Sequence, residues 1–248
     1  MNQYQLNKAI EAFIRKKDKK KETYAKKDIS YIQQYEGSGS KRASGEGMLC
    51  EFYTPEYICE LMWKIAKRHG YKGGYVLEPA VGTGRILKYA PDYKQCVGFE
   101  VNPLTQRIAS LTCPKAGIYR QPFETAFMQP SHYASRLPGN RTWLKEYPFS
   151  LVIGNPPFGI YKNKYSKHFQ NPQLLRTEIV FIYYGLQLLK KKGLLVYLTL
   201  ANFVRNGNAY NKAKEEIGKI ADLVDAYRLP AVFKHTKVAT DILVFRKK

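Results

Sequence analysis

Short apolar runs alternate with amphipathic segments along most of the chain. Apolar runs of about four to eight residues are typical of buried strands, whereas apolar residues that recur every three or four positions are typical of helices. From residue 53 onward the two patterns predict strands at about residues 75–78, 96–100, 117–120, 150–154, 193–199, 222–229 and 240–246. Such an alternation predicts an α/β fold, in which a mostly parallel sheet has helices on both of its faces.

The connection before the last predicted strand differs from the others. About ten residues separate the strands at 222–229 and 240–246, and they carry no helical pattern. A parallel crossover needs a dozen or more residues and usually contains a helix. The last strand is therefore expected to lie antiparallel beside its predecessor, at the end of a seven-stranded sheet that is otherwise mostly parallel.

The N-terminal segment has a composition of its own. Residues 3–14 carry apolar side chains at helical spacing and predict a short amphipathic helix. Residues 15–27 contain eight basic residues, a pattern typical either of a solvated surface or of an arm that binds phosphates. We therefore divide the chain into a basic arm with a Gly/Ser-rich loop, residues 1–48, and a second domain, residues 49–248.

The charge of the whole chain favours a polyanionic partner. The 248 residues include 41 Lys and Arg against 20 Asp and Glu, a formal net charge of +21. Self-repulsion of this size opposes compaction, and nucleic acid would relieve it. No stretch reaches the roughly 18 apolar residues of a spanning helix, so no membrane partner is expected. The four cysteines lack the spacing of a metal site, so we expect no metal and interpret them as reduced thiols of a cytoplasmic protein.

One predicted strand ends in a tetrapeptide with distinctive chemistry. Residues 151–154 are apolar, and Asn155, Pro156, Pro157 and Phe158 follow them directly. Because proline neither donates a backbone hydrogen bond nor continues a strand, the two prolines predict a stiff turn. The turn would present the Asn155 amide oxygen, the Pro156 carbonyl and the Phe158 ring together. These groups suit a planar base that bears an exocyclic amine.

A second motif lies upstream of this turn. The strand at 75–78 ends at Glu78, and Pro79-Ala-Val-Gly82-Thr-Gly84 leads into a predicted helix that starts at residues 85–87. A strand, a glycine-containing loop and a helix in this order form the first unit of a nucleotide-binding α/β fold. The next strand ends at Glu100, where an acid suits a pair of ribose hydroxyls.

Together the motifs resemble those of the S-adenosylmethionine-dependent DNA N6-adenine methyltransferases, in which a cofactor motif precedes an Asn-Pro-Pro-Phe motif. The resemblance spans roughly residues 33–246 and includes Glu51-Phe-Tyr-Thr54-Pro55 and Gln121-Pro-Phe-Glu124. The segment 34–39 is similar to the lead-in of methylase domains in large mobile-element proteins, where a helicase often follows. The resemblance implies a Rossmann-like class I methyltransferase fold and S-adenosylmethionine as the cofactor. It also implies a DNA substrate and a restriction-modification context, and it allows for a separate specificity subunit or a larger modification complex.

The motifs and the resemblance together give a set of expected site residues. The catalytic turn, which would receive a flipped-out adenine, consists of Asn155, Pro156, Pro157 and Phe158. Cofactor contacts are expected from Thr54, Glu78, Pro79, Gly82, Gly84, Glu100, Val101, Phe123 and Asn155. Within this set, Glu78 would act on the cofactor's ammonium and Glu100 on its ribose, while Val101 and Phe123 would enclose its adenine. DNA contacts are expected from the insertion at 129–149 and from Lys162, Lys164, Tyr165, Lys167, Lys19, Lys20 and Lys21.

Three other functions are compatible with these motifs. An RNA adenine N6-methyltransferase would share every catalytic residue. A protein-glutamine methyltransferase would grip a side-chain amide in the same pocket, although Phe rather than Tyr at position 158 and the basic charge count against it. A non-catalytic nucleic-acid-binding subunit of a modification complex would be expected to have lost the glycine loop or the catalytic turn, and the sequence retains both.

Overall fold

The structure, a computed structural model, describes residues 2–36, 53–128, 149–161, 174, 176–205, 210–233 and 239–248. In these ranges the strands are β1 (Tyr75–Glu78), β2 (Cys96–Phe99), β3 (Gly117–Tyr119), β4 (Phe149–Gly154), β5 (Leu189–Leu200), β6 (Ala221–Leu229) and β7 (Thr240–Lys247). The helices are α1 (Gln3–Lys19), α2 (Lys26–Ile32), α3 (Glu56–Arg68), α4 (Pro103–Thr112), α5 (Thr125–Met128), α6 (Thr177–Gln187) and α7 (Asn211–Ile220). Each predicted strand is confirmed to within a residue at either end, except that β5 begins earlier than predicted.

All seven strands belong to one sheet with the order β3-β2-β1-β4-β5-β7-β6. The pairs β1–β2, β2–β3, β1–β4 and β4–β5 are parallel. The last strand, β7, runs antiparallel to β6 and also to β5, between which it inserts. The predicted antiparallel last strand is thus confirmed, and its second partner was not predicted.

The order of the strands reverses at β1. From β1 the chain steps outward to β2 and β3, and it then returns to β4 on the other side of β1. In open α/β sheets, ligands bind at such a reversal, outside the carboxyl ends of the strands. The ends of β1, β2 and β4 are therefore the place where this fold favours a ligand.

The core lies on both faces of the sheet. Successive residues of β4 alternate between two apolar clusters: Val152 belongs to one, and Leu151 and Ile153 belong to the other. The first cluster includes buried residues of α6 and α7, and the second includes those of α3. This alternation follows from the two-residue period of a strand, and it confirms the helices on both faces.

The N-terminal segment folds back against α4. Ile10 and Ile14 of α1 and Ile32 of α2 form a third apolar cluster with Ile108 of α4. Asn7 is hydrogen-bonded to Glu36, and the Lys17 ammonium lies 2.6 Å from the Asp28 carboxylate, so α1 and α2 are antiparallel. The predicted amphipathic helix is confirmed. It extends to Lys19 because Lys and Arg are good helix formers.

The predicted helix after the glycine loop is wrong. Residues 79–95 contain only two single 3₁₀ turns, Leu87–Tyr89 and Tyr93–Gln95. Ala90 precedes Pro91 and is extended (φ −65°, ψ 141°), as expected because proline disfavours the helical conformation in the residue before it. The chain therefore turns back into β2 without forming an α-helix.

Candidate active site at the carboxyl edge of the sheet

Three polar residues predicted from the sequence lie at the carboxyl ends of three adjacent strands. Glu100 follows β2, Glu78 ends β1 and Asn155 follows β4, and these strands are neighbours in the order β2-β1-β4. Adjacent strands lie about 4.8 Å apart, so the three residues occupy a span of roughly 10 Å along the edge. The structure thus brings together the ends of the two motifs, which are far apart in the sequence.

The carboxyl group of Glu78 is buried next to the catalytic turn. The residue is 2% exposed, and a Cβ added at Gly154, the residue before Asn155, would lie 3.6 Å from its Cγ. Burial raises the pKa of Glu78 well above its ordinary value. A hydrogen bond from the Leu87 backbone N–H lowers this pKa in part, whereas the nearby negative charge of Glu100 raises it further. Among the described residues, Oε2 of Glu78 has no hydrogen-bond partner. Since buried polar atoms are rarely left without one, Glu78 is suited to a ligand that donates a hydrogen bond or carries a positive charge.

Replacement of Glu78 by Gln is expected to stabilise the ligand-free protein, increasingly so as the pH rises. The raised pKa means that the native state keeps the Glu78 proton to a higher pH than the unfolded chain does. Stability is therefore lost as the pH rises from about 4.5 towards that raised pKa, by up to about 1.4 kcal/mol per pH unit. Glu78→Gln removes this loss. Thermal unfolding of the wild type and of Glu78→Gln between pH 4 and 8 tests this prediction, and Glu215→Gln, at an exposed position, is the control. A difference in Tm between Glu78→Gln and wild type that does not change with pH would contradict it.

The carboxylate of Glu100 fixes the glycine loop. Its Oε2 accepts a hydrogen bond from the Gly82 N–H at 3.0 Å, and its Oε1 accepts one from the Asn102 N–H at 2.8 Å. Asn102 is the N-cap of α4 and accepts a hydrogen bond from Leu104. Glu100 therefore joins the loop after β1 to the start of α4, and because it is half-buried its carboxylate stays within reach of a ligand.

Both glycines of the loop have positive φ values and lie against other parts of the protein. Gly82 has φ +54°, and a Cβ there would lie 3.0 Å from the Tyr53 ring. Gly84 has φ +82°, and a Cβ there would lie 3.3 Å from Cα of Ala109 in α4. Glycine is required at both positions for conformation and for close packing. The predicted contact of either glycine with a cofactor stays a prediction.

The remaining predicted cofactor residues differ in exposure. Thr54 and Pro79 are buried, whereas Val101 is 41% exposed and offers an open apolar surface beside Glu100. Phe123 is 3% exposed, and its ring packs against those of Phe99, Phe127 and Phe181. Phe123 thus belongs to the core, and its predicted contact with a cofactor stays a prediction.

The catalytic turn leaves β4 as the prolines predict. The strand ends at Gly154, Pro156 is buried, and Asn155, Pro157 and Phe158 are half-buried. Gly159 follows with φ +123°, a conformation that other residues rarely adopt. The turn thus leaves Asn155, Pro157 and Phe158 partly exposed at this edge.

Of the predicted DNA-binding residues, those at 19–21 are described, and they do not lie at this edge. Lys19, Lys20 and Lys21 are exposed at the end of α1, about 20 Å along the helix from Asn7. Asn7 is bonded to Glu36, and the carbonyl of the neighbouring Tyr35 accepts a hydrogen bond at 2.9 Å from Arg85, which directly follows the glycine loop. The end of α1 that contains Asn7 is therefore the one near the glycine loop. Residues 129–148 of the insertion, together with Lys162, Lys164, Tyr165 and Lys167, lie outside the described residues.

Two residues near the site were missed by the sequence analysis. Glu178 is 3% exposed and accepts a hydrogen bond from the Gly159 N–H, next to the catalytic turn. Arg85 lies directly after the glycine loop, with its guanidinium 5.5 Å from the Tyr53 ring centroid. Glu178 could have been noticed in the sequence, because it is an acid at the start of an otherwise apolar helix and a carboxylate that is buried needs a partner.

The described part of the chain offers neither a metal site nor a reactive thiol. No group of three His, Cys, Asp or Glu side chains within it could hold a metal ion. Cys59, Cys96 and Cys113 are buried and free, and burial raises the pKa of Cys96 to about 12. A thiol with so high a pKa is a poor nucleophile. None of the described helices is long and apolar enough to cross a membrane.

Solved structures share this fold. A protein from Listeria monocytogenes, described as a class I S-adenosylmethionine-dependent methyltransferase, matches with a TM-score of 0.60 at 20% identity over 82% of this chain and 63% of its own. The methyltransferase subunit of a type I restriction-modification system from Streptococcus thermophilus matches with a TM-score of 0.58 at 20% identity, over 79% of this chain and 45% of its own. The type IIG restriction endonuclease BpuSI matches with a TM-score of 0.61 at 16% identity, over 88% of this chain and 27% of its own. Identities this low concern the fold alone, and they confirm the class I methyltransferase fold.

A curated relative comes from a bacteriophage. Defense against restriction protein B of Escherichia phage P1 is 27% identical to this chain over 206 residues, which make up 81% of the chain. The chain spans only 8% of that protein's length. The likeness therefore concerns a small part of a much longer phage protein.

A family match covers the candidate site as well as the sheet. The model of the family described as N-6 DNA Methylase matches residues 30–248. That range contains Glu78, Glu100 and Asn155 and all seven strands. The chain therefore belongs to the N-6 DNA methylase family.

Proposed function

We propose that this chain transfers a methyl group from S-adenosylmethionine to the exocyclic N6 amine of adenine in DNA. The observation that carries the proposal is the juxtaposition, at one edge of the sheet, of the Asn155–Pro156 turn with the buried Glu78 and the loop-fixing Glu100. Family membership and the basic charge of the chain support the same reaction.

The residues at this edge fit the cofactor. The buried Oε2 of Glu78, which has no hydrogen-bond partner in the described part of the chain, suits the cofactor's ammonium, and Thr54 would meet its carboxylate. Glu100 would accept hydrogen bonds from the ribose, and the exposed Val101 would lie against the adenine. When bound, S-adenosylmethionine supplies an activated methyl group, so the protein contributes binding, orientation and electrostatics.

The catalytic turn would act on the nucleophile. The lone pair of the adenine amine is delocalised into the ring, which makes the amine a poor nucleophile. The Asn155 side-chain oxygen and the Pro156 carbonyl would each accept one amine hydrogen, which favours a pyramidal nitrogen. The same acceptors stabilise positive charge as it develops on the nitrogen, so their effect is largest in the transition state. A strong general base is not required, since the methylated amine can lose its proton to water afterwards.

The target base has to leave the duplex to reach this edge. Enzymes that act on a base atom inside a duplex flip the nucleotide into a pocket, and stacking on an aromatic ring offsets part of the cost. Phe158 is half-buried at the end of the turn and is the ring proposed for this stacking. Selection of the target sequence is proposed to involve a specificity subunit or a larger modification complex, because the similar Streptococcus thermophilus protein is itself a subunit.

Reversal of the charges of Lys19, Lys20 and Lys21 to Glu is expected to weaken DNA binding and to reduce its dependence on salt. The three side chains are exposed, and we propose that they contact phosphates of the same duplex, away from the target base. Each lost contact should lower the slope of log K against log salt concentration by about 0.9 on duplex DNA. Binding titrations between about 50 and 200 mM salt measure this slope.

The control for this variant reverses Lys64, Lys67 and Lys72, which are also exposed and give the same change in total charge. If both triple variants lower the slope equally, the Lys19–Lys21 segment acts only through the net charge. An unaltered slope in the Lys19–Lys21 variant would leave these residues as solvated surface.

Methylation of mixed substrates tests the proposed function. The chain is incubated with methyl-labelled S-adenosylmethionine and separate pools of DNA, RNA and protein. The label is expected in DNA. Label found mainly in RNA would favour the RNA adenine methyltransferase, label on protein glutamine would favour the protein enzyme, and binding of nucleic acid without label in any pool would favour the non-catalytic subunit.

A further inference from the structure

We propose that Glu178 is a positioning residue that holds the exit of the catalytic turn, so that Asn155 and Pro156 keep a fixed orientation towards the target amine. This inference rests on the proposed function for its effect on catalysis. The contact between Glu178 and the turn can be tested independently of any activity.

Glu178 lies in the first turn of α6, and both of its carboxylate oxygens have a partner. Its Oε2 accepts a hydrogen bond from the Gly159 N–H at 3.3 Å, and its Oε1 accepts one from Nε of Arg176 at 3.0 Å. The Glu178 side chain is 3% exposed, whereas that of Arg176 is 36% exposed. A carboxylate this deeply buried is costly unless it is paired and hydrogen-bonded, and here one of its hydrogen bonds goes to the turn.

The turn has few amides through which it can be held. Pro156 and Pro157 have no N–H, so the first backbone donors after Asn155 are those of Phe158 and Gly159. Glu178 uses the second of these donors. The Gly159 carbonyl in turn accepts a hydrogen bond from the Thr177 N–H at 2.8 Å. Both polar groups of the Gly159 backbone are therefore bonded to the start of α6.

The chain beyond Gly159 is held by further contacts. Ile160 pairs with Arg176 in an isolated antiparallel bridge. The Tyr161 hydroxyl donates a hydrogen bond to Oε1 of Glu124 at 2.9 Å, and Glu124 is 5% exposed. Since the prolines stiffen the entrance of the turn and these contacts hold its exit, we infer that the turn is oriented in advance of substrate binding. Among these contacts, the bond from Gly159 to the Glu178 side chain is the one nearest to Asn155.

Glu178→Ala is expected to lower kcat by roughly 10–100-fold, because small displacements of reacting groups have effects of this size. Affinity for S-adenosylmethionine should stay within about threefold of wild type. Glu178→Gln keeps an oxygen that can accept from the Gly159 N–H, and the partly exposed Arg176 can be solvated, so this variant should recover most of the activity. Glu215→Ala, which removes an exposed carboxylate of α7, is the matched control and should behave as wild type.

Amide hydrogen exchange tests the contact without reference to catalysis. In Glu178→Ala the amides of residues 158–161 should exchange faster, while those of β4 and of the middle of α6 keep their protection. Glu178→Asp, which shortens the side chain and keeps its charge, should show the same local change if the alanine variant does not fold. Unchanged exchange at residues 158–161 in a folded variant would overturn the inference. A wild-type kcat in Glu178→Ala would also overturn the inference about Glu178, and it would leave the proposed function intact. If the wild-type chain methylates nothing, the proposed function fails and the exchange result still decides whether Glu178 holds the turn.

Discussion

Asn155→Ala is expected to lower kcat for DNA methylation by about 10²–10³-fold, while affinity for S-adenosylmethionine stays within a few-fold of wild type. The Asn155 oxygen is proposed to accept a hydrogen from the target amine as positive charge develops on the nitrogen. Loss of one oriented group of this kind costs on the order of 2.7–4 kcal/mol in the activation barrier. Single-turnover kinetics measure the rate of the chemical step, and calorimetry measures cofactor binding.

The matched control for this variant is Gln95→Ala, which removes a half-buried amide directly before β2, at the opposite, amino end of the parallel strands. It should have wild-type rate and affinity. If cofactor binding were lost together with activity in Asn155→Ala, Asn155 would belong to the cofactor site and its assignment to the target amine would be wrong.

Glu100→Ala is expected to weaken S-adenosylmethionine binding by roughly 100-fold. The substitution removes the acceptor that fixes the Gly82 and Asn102 amides, at 3.0 and 2.8 Å, together with the proposed acceptors for the ribose hydroxyls. Hydrogen bonds to a charged group contribute about 1.5–3 kcal/mol each, so the loss of two such contacts accounts for an effect of this size. Glu100→Gln should lie between wild type and Glu100→Ala, because the amide keeps one oxygen acceptor.

Gly82→Val offers a second way to damage the same pocket. Its Cβ would lie 3.0 Å from the Tyr53 ring at a φ of +54°, so the loop has to shift. Cofactor affinity should fall although every polar group is retained. Wild-type dissociation constants in folded Glu100→Ala and Gly82→Val proteins would mean that the cofactor binds elsewhere.

The strands were predictable because their pattern is local. The continuous apolar runs and the Gly, Pro and acidic residues that bound them define each strand within a few positions, and the observed bounds of β1, β4 and β7 differ from the predicted ones by at most one residue. The position of β7 between β5 and β6 was not predictable in this way. It depends on which strand edges are left to pair, and this is a property of the whole sheet rather than of any segment.

The errors near the site also have physical causes. The helix predicted after Gly84 fails because Pro91 forces Ala90 out of the helical conformation. The cofactor contact of Phe123 stays a prediction, but the burial of its ring among three other aromatic rings could not be seen from a motif. Glu178 escaped notice because its partner, Gly159, contributes a backbone amide, which every residue but proline has. Glu78, Glu100 and Asn155 were found because each one ends an apolar strand, and parallel strands bring such ends together.

Adenine methylation by the protein can be measured directly by mass spectrometry of nucleosides from duplex DNA treated with the protein and with S-adenosylmethionine that carries a trideuterated methyl group. We expect trideuterated N6-methyl-2′-deoxyadenosine after treatment with the wild-type chain, and an initial rate of its formation that is about 10²–10³-fold lower with Asn155→Ala. Trideuterated methyl groups on cytosine alone, or equal formation of the adenine product by the wild-type and Asn155→Ala proteins, would contradict this expectation.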